Sequence, residues 1–238
     1  MAYTAKRTSI GFEPIYNRTL NPIPNPVKYE LTPGTAFNRG DMVVLSAGKI
    51  AKATAASVAD IIGVMAESIA AADNLAGTIT KGSIYDHPDN VYRVTFSDHR
   101  DAVATGGTTG TLIDTNLSTS VNDVWNGALL YIYEGPSAGS TRTVSDYVGA
   151  SDTLSVDTAF PEAITTASKY ILLGAASEAN DVINEGLTGL VLKDEKTVDA
   201  NAARLSSAAK VGPLACMKIY PAELMMDVMI RRSCHYTG

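Results

Sequence analysis

Gly40–Asp41–Met42–Val43–Val44–Leu45–Ser46–Ala47–Gly48–Lys49–Ile50–Ala51–Lys52–Ala53, followed shortly by Ile61–Ile62–Gly63–Val64–Met65–Ala66–Glu67, decides the fold. Short aliphatic runs are separated by glycine turns, and hardly a side chain among them can do chemistry. Such punctuation marks strands. Ala76–Gly77–Thr78–Ile79–Thr80–Lys81–Gly82 repeats the texture in weaker form. Val91–Phe96 is the cleanest strand: Tyr92, Val94 and Phe96 fall on one face, Arg93 and Thr95 on the other, the period of a half-buried strand. Ala66–Ala76 reads two ways, since Ala and Glu favour helix whereas Asp73–Asn74 favours a turn.

The chain has 238 residues, 45% of them hydrophobic, enough for one large or two modest domains with a buried core. Only 18% are charged, against about 25% in an average soluble domain. So thin a charged coat favours an oligomer or lattice component; a Thr/Ser/Asn-rich protein of secreted type is the alternative. Net charge is −6 with no cationic block, which argues against nucleic acid as a direct partner, because counterion release needs clustered Lys and Arg. No apolar run approaches the roughly 20 residues of a membrane span, so no membrane association is expected. Lys6 and Arg7 are not followed by an apolar segment, so no signal peptide is expected and synthesis is assigned to the cytoplasm. Without secretion, the glycosylation patterns Asn17–Arg18–Thr19 and Asn116–Leu117–Ser118 carry no meaning. Two cysteines, Cys216 and Cys234, are too few for a disulfide framework and are expected as free buried thiols.

Four stretches follow from composition. Residues 1–26 read as an extended arm, because Pro14, Pro22, Pro24 and Pro26 remove donors and fix φ. Its apolar side chains Ile10, Phe12, Ile15, Tyr16, Leu20 and Ile23 are the candidate partner-binding residues. They lie either on a neighbouring subunit or back on their own domain. Residues 27–103 form the first segment of a core domain. Ala104–Thr111 reads as a linker into an inserted β module over 104–178, with strands at Leu129–Tyr133, Thr141–Tyr147, Thr153–Thr158 and Tyr170–Leu173. Residues 179–238 return to the core, with strands at Gly186–Leu192, Met217–Tyr220 and Leu224–Ile230. Between them Val198, Ala202, Leu205 and Ala209 have helical spacing behind a Thr197 N-cap.

Chemistry-bearing motifs are sparse. His87 and His99 sit in Asp86–His87–Pro88–Asp89 and Asp98–His99–Arg100–Asp101, ligand types that would suit a hydrolytic metal if they converged; His235 stands beside Cys234. Yet no His-x-x-x-His spacing, no Gly-x-Ser-x-Gly elbow and no phosphate loop is present, Gly106–Gly110 lacking the Gly-Lys-Ser/Thr ending. No catalytic residue, metal site or cofactor is therefore assigned, and the chain is read as non-enzymatic. Arg39–Gly40–Asp41 spells an adhesion tripeptide but stands where a turn is needed before Met42.

The Gly40–Ala53 and Ile61–Glu67 segments resemble those of head decoration (cement) and related accessory capsid proteins of tailed bacteriophages. The block over 104–178, with Gly127–Ala128, Arg142, Tyr147–Ala150 and Ser168–Ile171, resembles over most of its length a small β module inserted in many phage structural proteins. The resemblance implies a mainly β, barrel-like or tulip-like core of two segments. It also implies a homotrimer bound through the major capsid protein to the virion exterior. A tail or fibre component with an adhesive role is the alternative, and a metal-dependent hydrolase a further one.

Overall fold

The computed structural model describes residues 11–20, 22–54, 61–97, 99–117, 120–173, 188–190, 192–199 and 214–230. The chain is mainly β, with curled sheets forming a half-barrel, as its turn-punctuated aliphatic runs predict. The first strand, β1 (Glu13–Asn17), lies outside the first sheet. That sheet comprises β2 (Val27–Glu30), β3 (Met42–Ser46), β4 (Lys49–Lys52), β5 (Ile61–Met65) and β6 (Lys81–Tyr85), in the order β2-β6-β5-β3-β4. The opening motif is the β3–β4 hairpin. Its two loop residues, Ala47 and Gly48, have φ of 48° and 75°, the paired positive values of a two-residue turn whose twist matches the strands. Leu31 bridges Ile50 in parallel and the Thr32 N–H donates to the Ile50 carbonyl, which draws the end of β2 onto β4. The sheet thus curls around Leu31, Phe37, Val43, Ile50, Met65, Ile69 and Ile84. The ambiguous 66–76 stretch contributes one helical turn, α1 (Ala71–Leu75). Asn74 explains it: buried, it donates to the Thr32 and Thr35 carbonyls and ties the turn under the sheet.

The central strand is β7 (Asn90–Ser97), the alternating stretch of the sequence, whose first half pairs with β1. The second half of that same edge pairs in parallel with β17 (Thr197–Asp199). The other edge pairs with β19 (Met225–Ile230), which pairs with β18 (Leu214–Tyr220). Short strands β15 (Thr188–Leu190) and β16 (Leu192–Asp194) extend the two sides. Pro221 breaks β18 from β19 as expected, through a 3-10 turn at Pro221–Glu223 and Leu224 at φ 52°. The helix expected from Thr197 does not begin there. Thr197 and Val198 are strand residues paired with Thr95 and Phe96, because a buried β-branched side chain beside the central strand outweighs local helical spacing. Ala202, Leu205 and Ala209 lie outside the described residues.

The third sheet comprises β8 (Arg100–Val103), β9 (Gly106–Gly107), β10 (Thr111–Ile113), β11 (Leu129–Glu134), β12 (Thr141–Val148), β13 (Thr153–Val156) and β14 (Lys169–Leu172), in the order β8-β14-β11-β12-β13-β10-β9. Its two end strands are consecutive in the chain. The 100–107 segment pairs first with β14 and then with β10, with Ala104 N–H donating to Ser168 O and Thr105 N–H to Ile113 O, so the sheet closes on itself. The Ala104–Thr111 stretch is therefore not a linker but the seam of a small barrel, and Ala104 is buried inside it. Small residues suit a seam for the same reason they suit a linker: nothing projects.

One core joins the three sheets. In β14, Tyr170 and Leu172 face the barrel interior while Ile171, followed by Leu173, faces the central sheet; in β11, Leu130 and Ile132 face inward while Leu129, Tyr131 and Tyr133 face the central sheet. Met42, Ala53, Ile61 and Val64 reach the same cluster from the first sheet. Ile171→Ala is expected to lower the unfolding free energy by about 2–4 kcal/mol. Chemical denaturation should show that loss in tyrosine signals and in the Trp125 fluorescence of the small barrel together. Loss confined to one signal would show that the shared core does not couple the sheets.

Candidate interaction surface

The structure separates the six apolar arm residues. Phe12 is 1% exposed and fills the chain's own shared core, its N–H donating to the Gly40 carbonyl. Gly11, at φ 84°, makes that approach possible, since a Cβ there would strike the Gly40 backbone. Ile10 lies outside the described residues. Ile15, Tyr16, Leu20 and Ile23 converge, with Pro22 and Asn17, on one open depression of about 440 Å³. Tyr16 and Leu20 are 45% and 47% exposed, large apolar groups left facing water side by side.

Asn17 orders this surface. Its Oδ1 accepts the Thr19 N–H at 3.0 Å and the Leu20 N–H at 2.6 Å, closing a turn that turns Leu20 toward Tyr16. Its Nδ2 donates to Asn90 Oδ1 at 2.8 Å and contacts His87 Nδ1 at 3.0 Å. Thr19 Oγ1 donates to Asp89, and the Arg18 N–H donates to the Asp89 carbonyl. Asn90 continues to the Tyr92 hydroxyl, which donates to the Tyr85 carbonyl. The Asn17–Arg18–Thr19 stretch, met in the sequence only as a glycosylation pattern, is a side-chain-capped turn, and Asn followed by a polar residue and Thr was the available signal for it.

Elsewhere the ionisable groups act as clamps. Asp41 is fully buried and pairs with Lys52 at 3.0 Å, while Lys52 also reaches Glu195 at 3.1 Å. Burial alone would lower the Lys52 pKa, but the two carboxylates outweigh it and raise it. Burial would raise Glu195, yet hydrogen bonds and Lys52 hold it below the usual range. With its carboxylate turned inward and also capping the Asn38 N–H, Asp41 cannot present the Arg39–Gly40–Asp41 tripeptide to a receptor. In the small barrel, Asp114 accepts from the Tyr170 hydroxyl at 2.6 Å and from Arg100 at 3.2 Å. Its burial works against ionisation, but these donors and the Asn116 N–H win and lower its pKa. Arg93 grips Asp227 with two nitrogens, at 2.8 and 3.1 Å, and stacks 4.4 Å over the Tyr220 ring.

The two histidines with acidic neighbours are placed in separate surroundings: His87 against Asn17, His99 edge-on to the Phe96 ring at 5.7 Å. His235 lies outside the described residues. Among the described residues no three His, Cys, Asp or Glu side chains gather as a metal ion requires. No protein-family model matches the chain, and neither a curated protein nor a solved structure matches it.

Because Asp114 and Glu195 have depressed pKa values in the fold, their stabilisation is complete above the ordinary carboxylate pKa of about 4 and is lost as pH falls through the depressed values. Asp114→Asn should cost on the order of 2 kcal/mol at pH 6, where a charge-assisted hydrogen-bond network is lost, and should shrink the further loss between pH 6 and pH 3. Urea midpoints at both pH values measure this; an unchanged acid limb would relieve Asp114 of that role.

Proposed function

We propose that this chain is a non-enzymatic structural protein of a tailed-bacteriophage head, bound to the outer capsid surface, where it holds neighbouring capsid subunits together. The observation that carries the reading is the ordered apolar depression of Ile15, Tyr16, Leu20 and Ile23. An apolar face held in place by Asn17 before binding loses little conformational freedom on docking, so more of its burial energy becomes affinity. At ~25 cal/mol per Å², even modest apolar contact per copy adds up across a lattice through multivalency. The low charged fraction, 18%, agrees with a surface partly covered in an assembly. The Gly40–Ala53 motif that resembles decoration proteins forms the β3–β4 hairpin of a curled sheet, the fold that resemblance implies. Its partners in this reading are the major capsid protein and further copies of itself as a trimer, on the exterior of the virion.

Co-sedimentation with assembled shells of the major capsid protein of the same virus tests the reading. Tyr16→Ala and Leu20→Ala should each weaken binding by about 30-fold, the cost of losing an aromatic or aliphatic anchor. Val121→Ala, exposed at 56% on the small barrel, should leave it unchanged. Binding to the host cell surface without binding to shells would replace this reading with the adhesive one.

A further inference from the structure

We infer that His87 is a pH-operated latch, holding the 13–20 segment in place while its imidazole is neutral and releasing it on protonation. The hydrogen-bond directions leave no other assignment. Asn17 Oδ1 is fixed as an acceptor by two backbone N–H donors, Thr19 at 3.0 Å and Leu20 at 2.6 Å. The other end of that amide is therefore the NH₂, and it points at His87 Nδ1 and Asn90 Oδ1. The Asp89 backbone N–H also points at His87 Nδ1, at 3.2 Å. Two donors converge on one ring nitrogen, so that nitrogen must carry a lone pair and the proton must sit on Nε2.

Protonation would place a third N–H between the two donors. Neither can turn away at no cost: rotating the Asn17 amide breaks the 17–20 turn, and the Asp89 N–H belongs to the main chain. The strain falls on the junction that orders the apolar depression, because Asn17 is both the last residue of β1 and the cap of the turn carrying Leu20. Charged and titratable groups tied to the same junction are Asp86 and Asp89 on the His87 loop, Arg18, whose N–H donates to the Asp89 carbonyl, and Tyr92 through Asn90. Asp86 is bonded by the Tyr29 hydroxyl and Asp89 by Thr19, so both carboxylates have other donors. Arg18 reaches Met229 Sδ. The latch therefore opens as the imidazole gains its second proton, at Nδ1.

The full-length protein labelled with ¹⁵N tests this, since imidazole nitrogen shifts report the tautomer and amide exchange reports release. At pH 7.5, His87 Nδ1 should show the shift of an unprotonated acceptor. Between pH 7.5 and 5, protection of the Thr19 and Leu20 amides, corrected for intrinsic exchange, should fall about tenfold or more, with the midpoint of the His87 titration. Val144, bonded to Ala128 O inside the small barrel, should keep its protection. His87→Gln should abolish the pH dependence. A proton on Nδ1 at pH 7.5, unchanged protection at pH 5, or a release midpoint apart from the His87 titration would each overturn the latch. So would the same fall in His87→Gln, which would assign it to Asp86 or Asp89. Should that variant fail to fold, the wild-type tautomer and the two midpoints decide alone.

Discussion

The two-sided burial of strands β11 and β14 is the constraint on which the rest of the molecule depends. Each alternates between two cores, with Leu130, Ile132, Tyr170 and Leu172 inside the small barrel and Leu129, Tyr131, Tyr133 and Ile171 against the central sheet. A barrel attached by a loop would need only one apolar face. Here the outer face of the barrel is the lid of the central core, and the first sheet supplies Met42, Ala53, Ile61 and Val64 to the same cluster. The pieces are therefore held by burial, which is non-directional, and their registration must come from elsewhere.

Directional groups supply it. Asp41 with Lys52 and Glu195 fixes the first sheet to the β16–β17 turn, reinforced by the Met42 N–H donating to the Glu195 carbonyl. Arg93 with Asp227 crosses from β7 to β19, and Asp114 with Arg100 and Tyr170 crosses the interior of the barrel. In each case a buried carboxylate meets a cation that remains partly wet, which limits the desolvation cost while keeping the geometry. Carboxylates occupied in this way hold elements in register.

The arm divides at Asn17 for related reasons. Upstream, Phe12 is absorbed by the chain's own core and the β1 backbone by β7, while the Ile15 and Tyr16 side chains stay on the depression. Downstream, prolines at 22, 24 and 26 withhold donors from any ladder, and the apolar side chains are left at the surface, ordered by one asparagine. The apolar depression and the Asn17–His87 contact thus meet at a single junction, on which both the proposed docking and the proposed release would depend.

Much of the fold was legible from residues 40–53, 61–67 and 91–96, because period-two alternation and glycine turns are local signals and the strands they mark need no distant partner to be recognised. The same holds for the Pro221 break and for the β11 and β14 strands. The apolar arm residues were legible as a group, but not their division, since Phe12 and Tyr16 differ only in what lies above them. Three matters were decided by tertiary structure alone. Ala104–Thr111 has the composition of a linker and becomes a barrel seam because both sheet edges arrive at it. Thr197, read as an N-cap, and Val198, first of the helically spaced residues, instead join β7, because pairing beside Thr95 and Phe96 buries more than a solvent-facing turn would. Asn17 stands 70 or more residues from His87 and Asn90 along the chain, and no local pattern announces a network that exists only once β1 lies against β7. Alternation is encoded between neighbours in sequence, whereas pairing across that distance is settled by the competition of whole surfaces for burial.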